Sequence, residues 1–347
     1  MIQLHKIFII CIILQSLFIL YLLASPIVYS LTSPNETIVK VDQNSHYLLS
    51  PRVYTGLLAP KNYLIENFNP LKQELNDYIQ TNSINASIYI VNLRNGASIG
   101  INSNQYYYPA SLNKLPLAIL IMQQVERGNL NLTTKLLITP EDRDSGWGSL
   151  YNTTTKEMRV DDLLERLLVE SDNTAKNVLL RFVNNDDISN LEHYLDYFSN
   201  AEINNNLVSQ KNNQQGNSTK SMLYVNTKSM YAIFSSLYLS SILEPDSSEY
   251  LLSLLSNSTF NMKSLASLPS TVTVAQKFGS GIAMGSPVFH SCGILYINES
   301  RIFYCIMTEN VPQKEAPQHI GSMVHIMYEY IVNTRNSLDQ VHGLKTK

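Results

Sequence analysis

Apolar positions along this chain follow three different patterns. Residues 7–24 (IFIICIILQSLFILYLLA) carry no charge and only Gln15 and Ser16 as polar interruptions, and mostly apolar residues continue to Leu31. An uninterrupted run of that length suffices to cross a bilayer. It exceeds the roughly 7 to 15 apolar residues of a secretory signal, which favours an uncleaved signal anchor, with cleavage after Ser30 as the alternative. Residues 1–31 therefore predict export, with the membrane contacted through residues 7–24. Residues 32–69, with Pro34, Pro51 and Pro60 and no sustained periodicity, read as a tether.

The second pattern is mixed. Residues 71–79 have helical spacing; residues 87–93 (SIYIVNL) alternate as a strand, Asn95-Gly96 is a strong hairpin turn, and residues 97–102 return. Residues 111–127 predict a helix that tolerates Pro116 only near its first turn and stops at Gly128. Two amphipathic helices follow at 160–168 and 174–182. Residues 184–220 are rich in Asn and Gln and read as a long loop, and further helices are expected at about 226–242 and 247–256. The third pattern has period two: residues 271–278, 288–297 and 301–308 predict three strands, and a helix over 320–334 closes the domain. Two early strands, three late ones and helices between them imply an α+β fold, a five-stranded antiparallel sheet built from both ends of the chain with an all-helical region inserted.

Composition narrows the function classes. The 347 residues hold 25 Lys and Arg against 28 Asp and Glu, a net charge of −3, which supplies no basic field for nucleic acid. With 44% hydrophobic residues and 15% charged ones the chain is not disordered as a whole. Three cysteines, one of them Cys11 in the apolar run, exclude a disulfide-dense scaffold and a Cys-rich zinc site. The seven histidines show no ligand spacing, so no metal or other cofactor is expected. Export would let Cys292 and Cys305 form a disulfide. A two-residue turn at Asn298-Glu299 sets them opposite each other on adjacent strands; a three-residue turn puts them on opposite faces.

Three segments carry candidate chemistry. Ser111 and Lys114 form S-x-x-K at a helix start, one turn apart on one face, where a lysine of lowered pKa can activate a serine. Ser171-Asp172-Asn173 lies between two helices and would by itself read as a helix cap. Lys277-Phe278-Gly279-Ser280-Gly281 ends a predicted strand and would by itself read as a glycine bend.

In this order the segments match S-x-x-K, S-D-N and K-T-G. With YYYPASLNKLPLAI, LLERLLVESDNTAKNVLL and HSCGILYINESRIFYCIMTEN, the chain resembles the class A β-lactamase and penicillin-binding DD-peptidase superfamily of serine hydrolases over about residues 70–335, leaving 336–347 as a tail. The resemblance implies that Ser111 is acylated, Lys114 accepts its proton, and Ser171 relays a proton to the leaving group. It implies that the N–H groups of Ser111 and Ser280 form the oxyanion hole, and that Asn173, Lys277, Gly279 and Trp147 bind substrate, a β-lactam or peptidoglycan fragment. Two features depart from the family. Phe278 stands where the family has a Thr or Ser that contacts the substrate carboxylate, a contact that Ser280 could replace. The loop over 200–220 offers one acid, Glu202, and no E-x-x-L-N motif to activate a deacylating water. A DD-peptidase or transpeptidase is the alternative enzyme, and a penicillin sensor or binding module that does not turn over is the alternative outside enzymes.

Overall fold

A computed structural model of the chain describes Leu48 and residues 67–184, 186–188, 190–191, 224–258, 265 and 267–341. The apolar run at 7–24, most of the tether and Glu202 lie outside the described residues. Among the described residues no helix is long and apolar enough to cross a membrane.

Helix α1 (Asn69–Thr81) starts with Pro70 in its first turn, where the missing N–H costs nothing, and buries Leu71 and Leu75. Strands β1 (Ala86–Asn92) and β2 (Ser98–Ile101) form the first hairpin, with Gly96 at φ 79° in the turn. Helix α2 (Lys114–Glu126) is followed by β3 (Lys135–Leu137), β4 (Glu157–Arg159), α3 (Val160–Leu168) and α4 (Asn173–Leu180). Helices α5 (Thr227–Tyr238) and α6 (Pro245–Ser256) precede the long strands β5 (Thr273–Ala283), β6 (Ser286–Ile297) and β7 (Ser300–Glu309), and α7 (Ala316–Val341) closes the chain.

The main sheet has the order β2-β1-β7-β6-β5, every pairing antiparallel. The last β strands thus insert between β1 and the free edge, and β5 is an edge strand. The sheet is covered on both faces. On one, Leu71 and Leu75 of α1 and Ile320, Met323, Val324 and Met327 of α7 pack on Ile88, Leu295 and Ile302. On the other, helices α2 to α6 pack on Ala275, Ile294, Phe303 and Met307. Coverage on both sides explains why β6 is buried from Val288 to Ile297.

Five details differ from the sequence expectation. The inserted region is not purely helical, because β3 and β4 pair as a separate two-stranded sheet; three-residue strands are too short to show alternation. The predicted helix from Ser111 begins as a 3-10 turn over Ala110–Asn113, and α-helical geometry starts only at Lys114. Strand β5 does not end at the glycines but runs to Ala283, turning at Met284-Gly285 with both φ positive, 49° and 87°. Helix α7 extends past 334 to Val341. At Leu48, inside the expected tether, the chain is held: its N–H donates to the Glu249 carboxylate at 3.1 and 3.2 Å, and its carbonyl accepts from Tyr296 at 2.8 Å.

The second hairpin takes the two-residue turn. Asn298 supplies φ 49°, Ile297 pairs with Ser300, and Cys292 falls opposite Cys305. The two cysteines are joined in a disulfide. In the next strand over, Lys277 pairs with Cys292, so the bridge sits directly behind a candidate site residue.

Candidate active site

Three segments far apart in sequence converge at the edge of β5. The 3-10 turn before α2 carries Ser111, which is partly exposed, whereas Lys114 is buried. Residue Ala110, just before the nucleophile candidate, has φ 48°, and Ser171 has φ 59°. Two non-glycine residues in the left-handed region, both beside the same cleft, store backbone strain where such strain commonly marks function.

Helix α4 shows how its local sequence serves two ends. Asp172 is its N-cap: one carboxylate oxygen accepts from the Ala175 N–H at 2.9 Å and the other from the Leu150 N–H at 2.8 Å. The cap therefore falls to Asp172 alone and leaves its two neighbours for other contacts. With Asp172 capping, Ser171 and Asn173 are turned to Lys114. The Leu150 contact also pins the loop that holds Trp147, and Gly148 (φ 97°) is obligatory there because a Cβ would fall 2.1 Å from Asp172 Oδ2.

The polar centre is compact. Lys114 Nζ donates to the Ser171 carbonyl, to Ser171 Oγ at 3.1 Å and to Asn173 Oδ1 at 2.7 Å. Lys277 Nζ donates to Ser171 Oγ at 2.9 Å and to the Phe278 carbonyl at 3.3 Å. The Ser171 hydroxyl thus accepts from two lysines, which leaves its own proton to point into the cleft. Burial, then the charge of Lys176, pulls Lys114 from the ordinary lysine value to about 7 against the opposing Asp172 and Asp144. Full burial, then Lys114, holds Lys277 well below the ordinary value. Once neutral, Lys114 keeps two N–H groups for the Ser171 carbonyl and Asn173 Oδ1, both pure acceptors; it then no longer donates to Ser171 Oγ, and its lone pair can take a proton. Ser111 makes no hydrogen bond to Lys114 in this resting geometry; such contacts commonly tighten only with substrate.

Gly279 sets the distance between β5 and the nucleophile turn. A Cβ there would lie 2.7 Å from the Pro109 carbonyl oxygen and 3.3 Å from Ala110 Cβ, so only glycine allows the strand this close. This approach sets β5 against the turn that carries Ser111. Trp147 reaches the same end of the cleft, its ring 5.7 Å from that of Phe278 in an edge-to-face pair, and its carbonyl accepts the Asn173 N–H at 2.9 Å.

Several contributors escape a motif search. Asp144 Oδ1 accepts from Asn173 Nδ2 at 3.1 Å and from the Gly146 N–H at 2.7 Å. Burial opposes its ionisation, but Gly146, Asn173, Lys176 and Lys114 outweigh burial and hold its carboxyl below the usual range. No motif in the sequence marks Asp144-Ser145-Gly146. His290, paired with Gly279, is fully buried, and its Nε2 donates to the Tyr108 carbonyl at 2.9 Å, tying β6 to the nucleophile turn. Burial pushes that ring down to about 4, so it is neutral at physiological pH. Among the described residues no group of three His, Cys, Asp or Glu side chains could hold a metal ion.

Sheet order, the inserted helices and a Ser-Lys-Ser-Lys centre define the β-lactamase and DD-peptidase-like serine hydrolase superfamily. Within it the chain belongs to the beta-lactamase enzyme family, whose family model matches residues 70–331. Beta-lactamase VEB-1 of Pseudomonas aeruginosa is 24% identical over 135 residues, 36% of this chain and 44% of that protein. D-alanyl-D-alanine carboxypeptidase DacF of Bacillus subtilis is 26% identical over 82 residues, 24% of this chain and 21% of that protein. The matches thus span less than half the length of these curated relatives. A beta-lactamase from Chitinophaga pinensis superposes with a TM-score of 0.63 at 19% identity, covering 76% of this chain and 100% of that one. TLA-3 extended-spectrum beta-lactamase gives 0.65 at 16%, covering 77% and 100%, and PBP-A gives 0.61 at 20%, covering 78% and 100%.

Proposed function

We propose that this protein is an exported, membrane-tethered hydrolase that forms an acyl-serine at Ser111 from a β-lactam or a peptidoglycan-related amide. The observation that carries this reading is the Ser171 hydroxyl held between Lys114 and Lys277. Ser111 Oγ attacks the substrate carbonyl carbon while its proton passes to the lone pair of neutral Lys114. The N–H groups of Ser111 and Ser280 receive the oxyanion. On collapse the C–N bond breaks, the leaving nitrogen takes the Ser171 proton, and Lys114 restores it. Water then attacks the ester, the bond to Ser111 Oγ breaks, and the proton returns to that oxygen. Asn173 orients Lys114 and the substrate amide, and Trp147 lines the mouth.

The second half-reaction is slow. A water needs its own positioned base, worth roughly 10²–10⁴-fold, and the E-x-x-L-N motif that would supply one is absent from the sequence. Similarity to both a beta-lactamase and a D-alanyl-D-alanine carboxypeptidase supports the coarser class equally for hydrolase and peptidase. One structural neighbour is an acyl-enzyme complex of a PBP-A mutant with penicillin G, the kind of adduct expected here. Export rests on residues 7–24, whose apolar length suits a membrane anchor. Intact mass followed over time with a β-lactam tests the reading. A single adduct absent from Ser111→Ala is the expected result, and no adduct with any acyl donor overturns it.

A further inference from the structure

We infer that the acyl donor of this site is uncharged and apolar at the Phe278 end of the cleft, so that the protein takes the carboxylate-free or masked form of its substrate in preference to the free acid. The inference rests on the acyl-serine reading above and names the substrate class of that site. The lysine beside Phe278 is not presented to a ligand. Lys277 is fully buried, donates to Ser171 Oγ at 2.9 Å and to the Phe278 carbonyl at 3.3 Å, and lies 4.4 Å from the centre of the Phe278 ring. Phe278 is itself buried against Trp147, so this end of the cleft presents aromatic surface.

Hydroxyls behind the ring are also committed. Ser291, the cross-strand partner of Phe278, lies 3.2 Å from Gln276 Oε1 and 3.0 Å from the Tyr304 hydroxyl, which is 2.9 Å from the same Gln276 oxygen, so two hydroxyl protons serve three contacts. Further along the same face of β5 come Ser280 and Ile282, then Met284 in the turn, with Ile282 69% and Met284 80% exposed. Of Phe278, Ser280, Ile282 and Met284, Ser280 alone has a polar side chain. The loop that brings Trp147 also brings Asp144, whose carboxyl is held below the usual range and stays ionised. A substrate carboxylate placed here would shed water against aromatic and apolar surface, beside a Lys277 amine already held by Ser171 and the Phe278 carbonyl. An ester or amide at the same position meets none of these penalties.

Matched donors test this: benzylpenicillin and its methyl ester, with intact-mass kinetics of adduct growth. Each acylates Ser111 Oγ as the ring C–N bond opens and the nitrogen takes a proton. A fluorophosphonate, which forms a P–O bond at an activated serine and releases fluoride, reports separately on Ser111. The expected result is acylation by the methyl ester at least about tenfold faster than by the free acid, with the ratio falling or reversing in Phe278→Thr. Faster or equal acylation by the free acid in the unmodified protein, a comparison that needs no variant, overturns the inference, as does an unchanged ratio in a folded Phe278→Thr. If the fluorophosphonate labels Ser111 and neither penicillin does, an uncharged donor is refused and the inference fails while the nucleophile stands. If Ser111 resists the fluorophosphonate as well, the acyl-serine reading fails and this inference falls with it.

Discussion

Two buried polar clusters lie one residue apart on β5, on opposite faces of the same sheet. On the face toward α7, Gln276, Ser291 and Tyr304 form a closed triangle of neutral groups with distances of 2.9 to 3.2 Å. On the face toward the inserted helices, Lys277 and Lys114 crowd a single Ser171 hydroxyl, with Ala110 and Ser171 in left-handed backbone conformations beside them. Burial acts on both. In the triangle it only raises the Tyr304 pKa, which keeps the phenol neutral and donating. In the lysine centre it strips charge from amines that would otherwise be protonated, and so creates a base. A buried polar group whose partners are complete is structure; one whose protonation is forced off its ordinary value is poised for chemistry.

The comparison breaks most sharply at the nucleophile. Ser111→Ala is expected to lower acylation by about 10³-fold or more while thermal unfolding stays close to that of the parent, since Ser111 makes no side-chain cap. Retained covalent labelling in that variant would remove the lysine centre from catalysis altogether. Next in size is the lifetime of the adduct. Release is expected to be roughly 10²–10⁴-fold slower than with a positioned base to activate the water, because the sequence holds no E-x-x-L-N motif. Rapid multiple turnovers that vanish in Glu202→Gln would show that Glu202 serves as that base.

A third test reads the protonation of Lys114. With its pKa near 7 and the neutral amine required, acylation should fall about tenfold per pH unit below 7 and level off above it. Lys176 favours the neutral amine and Asp144 the charged one, so Lys176→Ala should move the limb to higher pH and Asp144→Asn to lower pH. A profile that is flat between pH 5 and 8 would assign the base elsewhere.

Much of this was legible before any coordinates. Strand alternation gave β5, β6 and β7, and α3 falls where its amphipathic spacing put it. Lys114, Ser171, Asn173 and Lys277 meet through hydrogen bonds, three segments that the sequence marked separately. What stayed hidden is set by tertiary contact. Gly279 signals a bend in isolation, yet it permits a straight strand to touch Pro109 and Ala110. The S-D-N segment offered a cap or a site as alternatives, and only the fold shows Asp172 capping while its neighbours turn inward. The left-handed φ of Ala110 and Ser171 carries no local signature, since neither residue type favours that region.

The disulfide links both clusters to stability. It closes a 13-residue separation between strands whose neighbours include Lys277. Replacing both cysteines with serine should cost about 3 kcal/mol through the unfolded state. Thiol counting on denatured, unreduced protein checks the bond itself: both thiols free would dispose of it.

The smallest effect is the most discriminating. Tyr304→Phe removes one donor from the triangle, but Gln276 Oε1 keeps the Ser291 hydroxyl as a donor, so no buried acceptor is left bare. The expected loss is about 1 kcal/mol, read as a lowered urea midpoint with an unchanged slope. Because the triangle sits across the sheet from Lys277, with its protons shared only among neutral groups, the pH limb of acylation should not move. Lys277→Ala reports the opposite combination. It removes a buried amine whose desolvation is unfavourable, so stability should change little, while Ser171 loses one of its two lysine donors and acylation falls. Should Tyr304→Phe shift the pH limb as well, the two faces would be electrostatically coupled through β5, and the division between a structural and a chemical cluster would fail at the residue where it is drawn.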